Sequence, residues 1–271
     1  MHHNSLNLSI FYLDICNATV VPAPPRRDVL AVCRGVVCAA RARATEFESG
    51  HSLALGALGG RPWRAWRRFV LGTAELIGEQ LANGAVVLSG DAPAPVFLDL
   101  GRRVRRSLPI VCEQYSAWRL FDLTDDDVSR YSALMRCEVV PHAYCESDER
   151  PRAALLFATT EAGVHLSRPD AKHIRDLLPE LCVAHEFRLA PEKPFDVASV
   201  DDAHNIGDLR VDIIHAYTTV QESSANMRHV IIAADVAAPL AYMLGEMLTE
   251  LPGYEVHVVS RAGNGAYELC W

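Results

Sequence analysis

Residues 91–101 read DAPAPVFLDLG, and residues 235–245 read DVAAPLAYMLG. The two stretches share Asp, Ala-Pro and Leu-Gly at a constant offset of 144 residues. The apolar run 9–16 (SIFYLDIC) lies at the same offset from 153–160 (AALLFATT). A repeat of this length indicates one α/β unit that occurs twice, so two equivalent crevices can face one ligand.

Each repeat shows the same alternation of strands and helices. Continuous aliphatic runs such as 85–88 and 230–232 are typical of parallel strands that are buried on both faces. Proline near the first turn and apolar residues at helical spacing predict helices between the strands. The sequence therefore predicts an α/β fold of two tandem Rossmann-like units, with mostly parallel sheets and a pseudo-two-fold relation.

The predicted elements occupy equivalent places in the two halves. Strands are expected at 9–16, 51–56, 85–88, 109–112 and 118–121, and at 153–160, 184–189, 230–232, 254–259 and 267–271. Helices are expected at 26–44, 93–106, 170–181 and 237–251. A further amphipathic helix in each half carries apolar residues at helical spacing: Trp66, Phe69, Val70, Ala74, Ile77 and Leu81 in the first, and Leu209, Ile213, Tyr217 and Val220 in the second. The halves are assigned to 1–127 and 151–271, and the segment 128–150 is expected to connect them.

Composition excludes several classes of protein. The formal net charge of -8 argues against a protein that coats long DNA or RNA, but it allows a short nucleotide as ligand. No apolar run reaches the roughly 18 residues of a membrane span, and no signal-peptide pattern opens the chain. The eight cysteines lie mostly in apolar runs, which favours buried free thiols in a cytoplasmic protein.

Two turns with small residues precede helices at equivalent places in the repeat. Small side chains let a phosphate approach the free backbone N–H groups of a first helical turn, where the helix dipole also favours an anion. We therefore expect ligand contacts from Gly90, Asp91 and Ala92 and from Ala234, Asp235 and Val236. The alternative is that the two aspartates only cap their helices.

Other candidate ligand contacts lie at the strand ends. Three polar residues lie at the end of a first strand: Asn17 in the first half, and Thr159 and Thr160 in the second. Their side chains can hydrogen-bond a phosphate or a base edge. Trp118 on the last strand of the first half can stack on a base. Ordinary turn chemistry and core packing are the respective alternatives.

The two copies differ in charge on the helix that follows the repeated turn. Arg102 and Arg106 in the first half correspond to Glu246 and Glu250 in the second. Such complementary surfaces predict a head-to-tail oligomer, with a simple solvated face as the alternative.

The common catalytic patterns do not occur. The chain has no G-x-x-x-x-G-K-[ST], G-x-S-x-G or H-E-x-x-H sequence. Cys137, His142 and Cys145 offer three zinc ligands without a clear fourth, so we expect neither a metal nor a cofactor. Without a candidate nucleophile, a binding module is favoured over an enzyme.

Two stretches of the chain share one pattern: residues 74–122 (AELIGEQLANGAVVLSGDAPAPVFLDLGRRVRRSLPIVCEQYSAWRLFDL) and residues 227–271 (MRHVIIAADVAAPLAYMLGEMLTELPGYEVHVVSRAGNGAYELCW). Both stretches resemble the SAVED domain. The shared pattern is a strand, a small-residue turn with Ala-Pro, a helix with Leu-Gly, and a strand that ends near aromatic residues. A SAVED domain is a fusion of two CARF-like units. It serves as the sensor of bacterial cyclic-oligonucleotide antiviral systems, both CBASS and type III CRISPR.

The resemblance implies a ligand and a partner. The ligand would be a cyclic tri- or tetra-adenylate, or a related cyclic trinucleotide, held between the two halves by the two turns and the first-strand ends. Family members usually carry an effector on the same chain and assemble when the ligand binds. Since the repeat accounts for nearly all of this chain, we expect either a separate effector (a nuclease, protease, TIR or membrane protein) or a chain that is only the sensor part of its protein.

Two enzymatic alternatives remain at this point. A ring nuclease would cleave the same cyclic oligoadenylate by orienting a ribose 2′-OH against its phosphate. A general nucleotide-binding α/β enzyme is disfavoured because the glycine-rich fingerprint is missing.

Overall fold

The structure is a computed structural model. It describes residues 9–14, 19–22, 43–44, 70–71, 74, 84–89, 93–104, 110–113, 117–120, 131–141, 149–193, 203–223, 227–261 and 265–271. Within these residues the chain forms two six-stranded sheets with helices packed on them, so the predicted α/β fold is confirmed.

The first sheet contains the predicted parallel strands of the first half. Its strands are β1 (Ser9–Asp14), β2 (Thr19–Pro22), β3 (Arg43–Ala44), β4 (Gly84–Ser89), β5 (Ile110–Glu113) and β6 (Ala117–Leu120). The order is β2-β1-β4-β5-β6, with β3 also beside β1. Strands β1, β4 and β5 run parallel, while β2 and β6 pair antiparallel at the two ends. The helix predicted at 26–44 is wrong at residues 43–44, which form a strand; its other residues and the strand predicted at 51–56 lie outside the described residues.

The second sheet is longer and mixed. Its strands are β7 (Met135–Pro141), β8 (Arg152–Thr159), β9 (Cys182–Pro191), β10 (His229–Asp235), β11 (Glu255–Arg261) and β12 (Tyr267–Leu269), in the order β12-β11-β10-β8-β9-β7. The four central strands run parallel, and both edge strands are antiparallel to their neighbours. The five strands predicted for this half all lie on observed strands.

The helices agree with the apolar spacing. They are α1 (Ala94–Arg103), α2 (Arg168–Leu177), α3 (Ala203–Ser223) and α4 (Ala238–Glu246), the last followed by a 3₁₀ turn at Met247–Glu250. The four predicted apolar residues of α3 are fully buried: Leu209, Ile213, Tyr217 and Val220. In the first half, Val70 and Ala74 are helical and Val70 is fully buried. No helix in the described part of the chain has the length and apolar character that a membrane crossing requires.

The second sheet has hydrophobic cores on both faces because its central strands are aliphatic throughout. Leu156 and Ile232 lie in the larger core, which also includes residues of α1, α3 and α4. Leu155 and Ile231 point to the opposite face and pack under α2. This two-sided burial is the reason for the continuous apolar runs in the sequence.

Helices α1 and α4, one from each repeat, cross at two glycines that occupy equivalent positions in the repeat. A Cβ added to Gly101 would collide with the carbonyl oxygen of Tyr242, and one added to Gly245 would collide with that of Leu98. Leu98 and Tyr242 are themselves equivalent in the repeat, so the contact is reciprocal. The pseudo-two-fold relation of the complete halves stays a prediction.

The segment 128–150 does more than connect the halves, since it supplies β7. Asp212 of α3 accepts hydrogen bonds from the backbone N–H groups of Leu134 (2.9 Å) and Met135 (2.8 Å), and from the Tyr131 hydroxyl. These bonds hold the start of β7 against the helix. The sequence reasoning missed this strand because it has no counterpart in the repeat.

Candidate functional site

The carboxyl ends of β8, β10 and β11 lie side by side at one edge of the second sheet. Thr159 ends β8 and pairs in register with Asp235, which ends β10. Thr160 follows directly, and Ala234 and Val236 flank Asp235. The structure therefore brings together all five ligand-binding residues that were predicted for the second half. In parallel α/β sheets, ligands bind at this type of edge.

The two threonines differ in accessibility. Thr159 is 1% exposed, and its hydroxyl oxygen accepts a hydrogen bond from the backbone N–H of Glu161 at 3.1 Å. This is the ordinary turn chemistry that was the alternative for this position. Thr160 is half-buried, so its side chain is the more accessible of the two to a ligand.

Asp235 does not cap α4. The residue at the N-cap of this helix is Ala237, and no side chain accepts a hydrogen bond there. The Asp235 side chain is exposed and makes no hydrogen bond within the described residues. Helix α1 likewise begins after Pro93 without a side-chain cap. In neither helix does a side chain compete with an anion for the first turn.

A basic residue that the sequence reasoning missed lies at the same edge. Arg261 ends β11, pairs with Asp170 of α2 at 3.0 Å, and has its guanidinium 5.6 Å from the centre of the Tyr267 ring. Burial raises the pKa of the Tyr267 hydroxyl; Arg261 opposes this shift, whereas Asp170 and Asp235 add to it. The edge thus contains a half-exposed cation within electrostatic range of the predicted turn. The sequence pattern that could have identified Arg261 is an arginine two residues after the predicted strand 254–259.

The equivalent edge of the first half is described only in part. Strands β1 and β4 end side by side, with Asp14 opposite Ser89. Trp118 lies on β6 opposite Cys112, and its side chain is outside the described part. The remaining predicted contacts are also outside it: Asn17, Gly90, Asp91 and Ala92.

The prediction that Glu246 contributes to an oligomer surface is wrong. Glu246 is 8% exposed, and its carboxylate pairs with the buried guanidinium of Arg210 at 3.0 Å. Arg102 is partly exposed, but it pairs with Asp99 at 3.0 Å and lies 5.3 Å from the centre of the Trp271 ring. Arg102 and Glu246 therefore both use their charges for contacts inside the chain. Arg106 and the side chain of Glu250 lie outside the described residues.

The cysteines do not all behave as expected. Cys182 is disulfide-bonded, so the expectation of free thiols is wrong at this position. Cys137 and Cys270 are free. Burial, with a smaller contribution from Glu138, raises the pKa of the Cys137 thiol to about 12. The protonated thiol is the form that binds metals poorly, and the other two residues of its C-x4-H-x2-C pattern lie outside the described residues.

Alkylation of Cys137 by iodoacetamide at pH 8 is expected to be at least about ten-fold slower in the folded chain than in the chain unfolded in urea. The raised pKa leaves little thiolate, and the rate should increase with pH up to and beyond pH 10. Peptide mapping by mass spectrometry follows this residue separately from the other cysteines. Equal rates in the folded and unfolded chains would contradict the burial of the thiol.

Comparisons with known proteins identify the fold. No protein-family model and no curated protein sequence matches the chain. Among solved structures, it is similar to the SAVED/CARF-domain containing receptor Cap4 of Acinetobacter baumannii with the cyclic trinucleotide 2′3′3′-cAAA, at a TM-score of 0.53 and 12% identity. The same receptor with 3′3′3′-cAAA is similar at a TM-score of 0.52 and 12% identity.

Both alignments cover 76% of this chain and 42% of the Cap4 chain, so this chain spans less than half the length of the receptor that it matches. At 12% sequence identity, the similarity shows a shared fold alone. The resemblance to a SAVED domain, inferred from the repeated turn and helix, is confirmed at that level.

Proposed function

We propose that this chain is a sensor that binds a cyclic oligoadenylate of the cyclic tri- or tetra-adenylate type between its two halves, and that it signals to a separate effector protein. The observation that carries the proposal is the carboxyl edge of the second sheet, where Asp235 ends β10, Thr160 follows β8, Arg261 ends β11, and α4 begins without a side-chain cap. Two solved structures of a receptor with a similar fold contain cyclic trinucleotides.

The chemistry of this edge suits a small ring of phosphates. Each phosphate of a cyclic oligonucleotide has one negative charge and two free oxygens that accept hydrogen bonds. The small residues Ala234 and Ala237 lie next to the start of α4, where the helix dipole favours a phosphate. The guanidinium of Arg261 supplies a positive charge, and the exposed carboxylate of Asp235 can accept from a ribose hydroxyl or a base amine.

Arg261→Glu is expected to weaken the binding of cyclic tri-adenylate and of cyclic tetra-adenylate by at least about ten-fold, since a charged hydrogen bond contributes about 1.5–3 kcal/mol and the new carboxylate repels phosphate. Calorimetry with each of the two compounds measures this directly. Arg136→Glu is the matched control, because Arg136 is also an exposed, ion-paired arginine but lies on the edge strand β7. Equal affinities of the two variants would show that Arg261 is not part of the site. A wild-type chain that binds neither compound would overturn the proposal.

The same samples distinguish a sensor from a ring nuclease. After prolonged incubation with the wild-type chain, chromatography should recover the cyclic compound intact. Conversion to linear oligoadenylate would identify the chain as a ring nuclease instead.

A further inference from the structure

Three side chains with metal-binding atoms meet at the opposite edge of the second sheet. His229 is the first residue of β10 and pairs in register with Glu255, the first residue of β11. His257 lies two residues further along β11 and therefore on the same face as Glu255. That face continues into Ile231 and the hydrophobic core under α2.

The distances between these atoms are close to those of a metal site. The His229 Nδ1 lies 3.3 Å from the His257 Nε2 and 3.5 Å from a carboxylate oxygen of Glu255. The other carboxylate oxygen is 3.9 Å from the His257 Nε2. Zinc holds nitrogen and oxygen ligands at about 2.0–2.2 Å, which in tetrahedral geometry separates the ligand atoms by about 3.3–3.6 Å. Two of the three separations fall in this range, and the third is longer by about 0.3 Å.

The surroundings leave one side of the cluster accessible and place negative charge beside it. The side chains of His229 and His257 are 19% and 13% exposed, whereas that of Glu255 is 67% exposed. Glu255, and Glu180 from the turn after α2, contribute negative charge near the His257 imidazole. The exposed side leaves room for a water molecule as fourth ligand.

We infer that His229, Glu255 and His257 form a binding site for a zinc-like transition metal ion at the amino ends of β10 and β11. Two imidazoles and one carboxylate are ligands that zinc accepts, while Mg²⁺ and Ca²⁺ prefer sites made of oxygen atoms. The ion would join two neighbouring parallel strands at their first residues. This inference does not depend on the proposed function, because β10 separates His229 from Asp235 by about 20 Å.

Titration of the purified, metal-free full-length chain with ZnCl₂ should show a site that is lost in His257→Gln. Glu255→Gln should weaken the same site by at least about ten-fold, since even indirect partners of metal ligands contribute 10–100-fold. Because Glu255 is exposed, we expect Glu255→Gln to fold even if His257→Gln does not. His165→Gln is the control, because His165 is an exposed histidine of the same half that lies outside the cluster.

Cobalt in place of zinc distinguishes this site from sites made of cysteine. Ligation by nitrogen and oxygen gives only weak visible bands, whereas thiolate ligands add an intense near-ultraviolet band. Zinc should also raise the unfolding temperature of the wild-type chain, since it binds the folded state, and should raise it less in the two variants. The inference is overturned if zinc stoichiometry and affinity are the same in wild type, Glu255→Gln and His257→Gln, or if cobalt binds only with the thiolate band.

Discussion

Glu246→Ala is expected to lower the free energy of unfolding by about 3–5 kcal/mol. The side chains of Glu246 and Arg210 are each 7% exposed, and their charged atoms are 3.0 Å apart. Removal of the carboxylate takes the Glu246 charge away from the buried Arg210 guanidinium. The expected loss of stability reflects the desolvation of that cation, because a side chain buried this deeply is poorly hydrated.

Urea unfolding followed by circular dichroism measures this cost, and two controls separate it from the loss of contacts. The double variant Arg210→Met with Glu246→Leu removes both charges and is expected to be close to wild type, because buried pairs can be replaced by apolar residues of similar size. Glu192→Ala breaks the exposed pair with Arg136 and should cost less than about 1 kcal/mol. A loss below about 1 kcal/mol in Glu246→Ala would show that Arg210 is solvated in the folded chain.

Gly245→Ala is expected to destabilise the chain by about 3 kcal/mol, although alanine is intrinsically better than glycine in a helix by about 1 kcal/mol. The added Cβ would collide with the carbonyl oxygen of Leu98 on α1. A backbone atom cannot rotate away, so the two helices must move apart and lose contacts in the core that they share. Gly101→Ala meets the carbonyl oxygen of Tyr242 and should have an effect of similar size.

Thermal and urea unfolding of these variants test the helix crossing. Gly163→Ala is the control: a Cβ there meets no atom within 4 Å, but its φ of +77° is unfavourable for alanine and should cost about 1–2 kcal/mol. Stabilisation by Gly245→Ala, as helix propensity alone predicts, would show that α1 and α4 do not approach this closely.

Much of the fold could be predicted because its signals are local or repeated. The aliphatic run 230–232 and the helical spacing of Leu209, Ile213 and Tyr217 reflect burial that each element imposes on its own residues. The repeat then assigned equivalent elements to both halves. It also predicted the turn at Asp235, because duplicated strands end at equivalent edges of their sheets.

The errors arose where a contact partner is distant in the sequence. Glu246 was assigned to the surface because it is charged and differs from Arg102 in the other copy. Its partner, Arg210, lies on a helix 36 residues earlier, and no spacing rule connects them. The strand β7 was missed for a related reason: it is held by its antiparallel pairing with β9 and by Asp212, far along the chain.

By itself the sequence determined most of the strands and helices, the repeated turn and helix, and the turns at which the repeated strands end, since these depend on side-chain periodicity and backbone preference within one element. Only the tertiary structure decided which charges are neutralised inside the chain, how closely α1 and α4 approach, and that His229 and His257 meet Glu255. Such contacts depend on the pairing of strands and helices across long sequence separations. The free energy of a buried charge or of a missing Cβ is set by the atoms that surround it in the folded chain, and the sequence alone does not specify those neighbours.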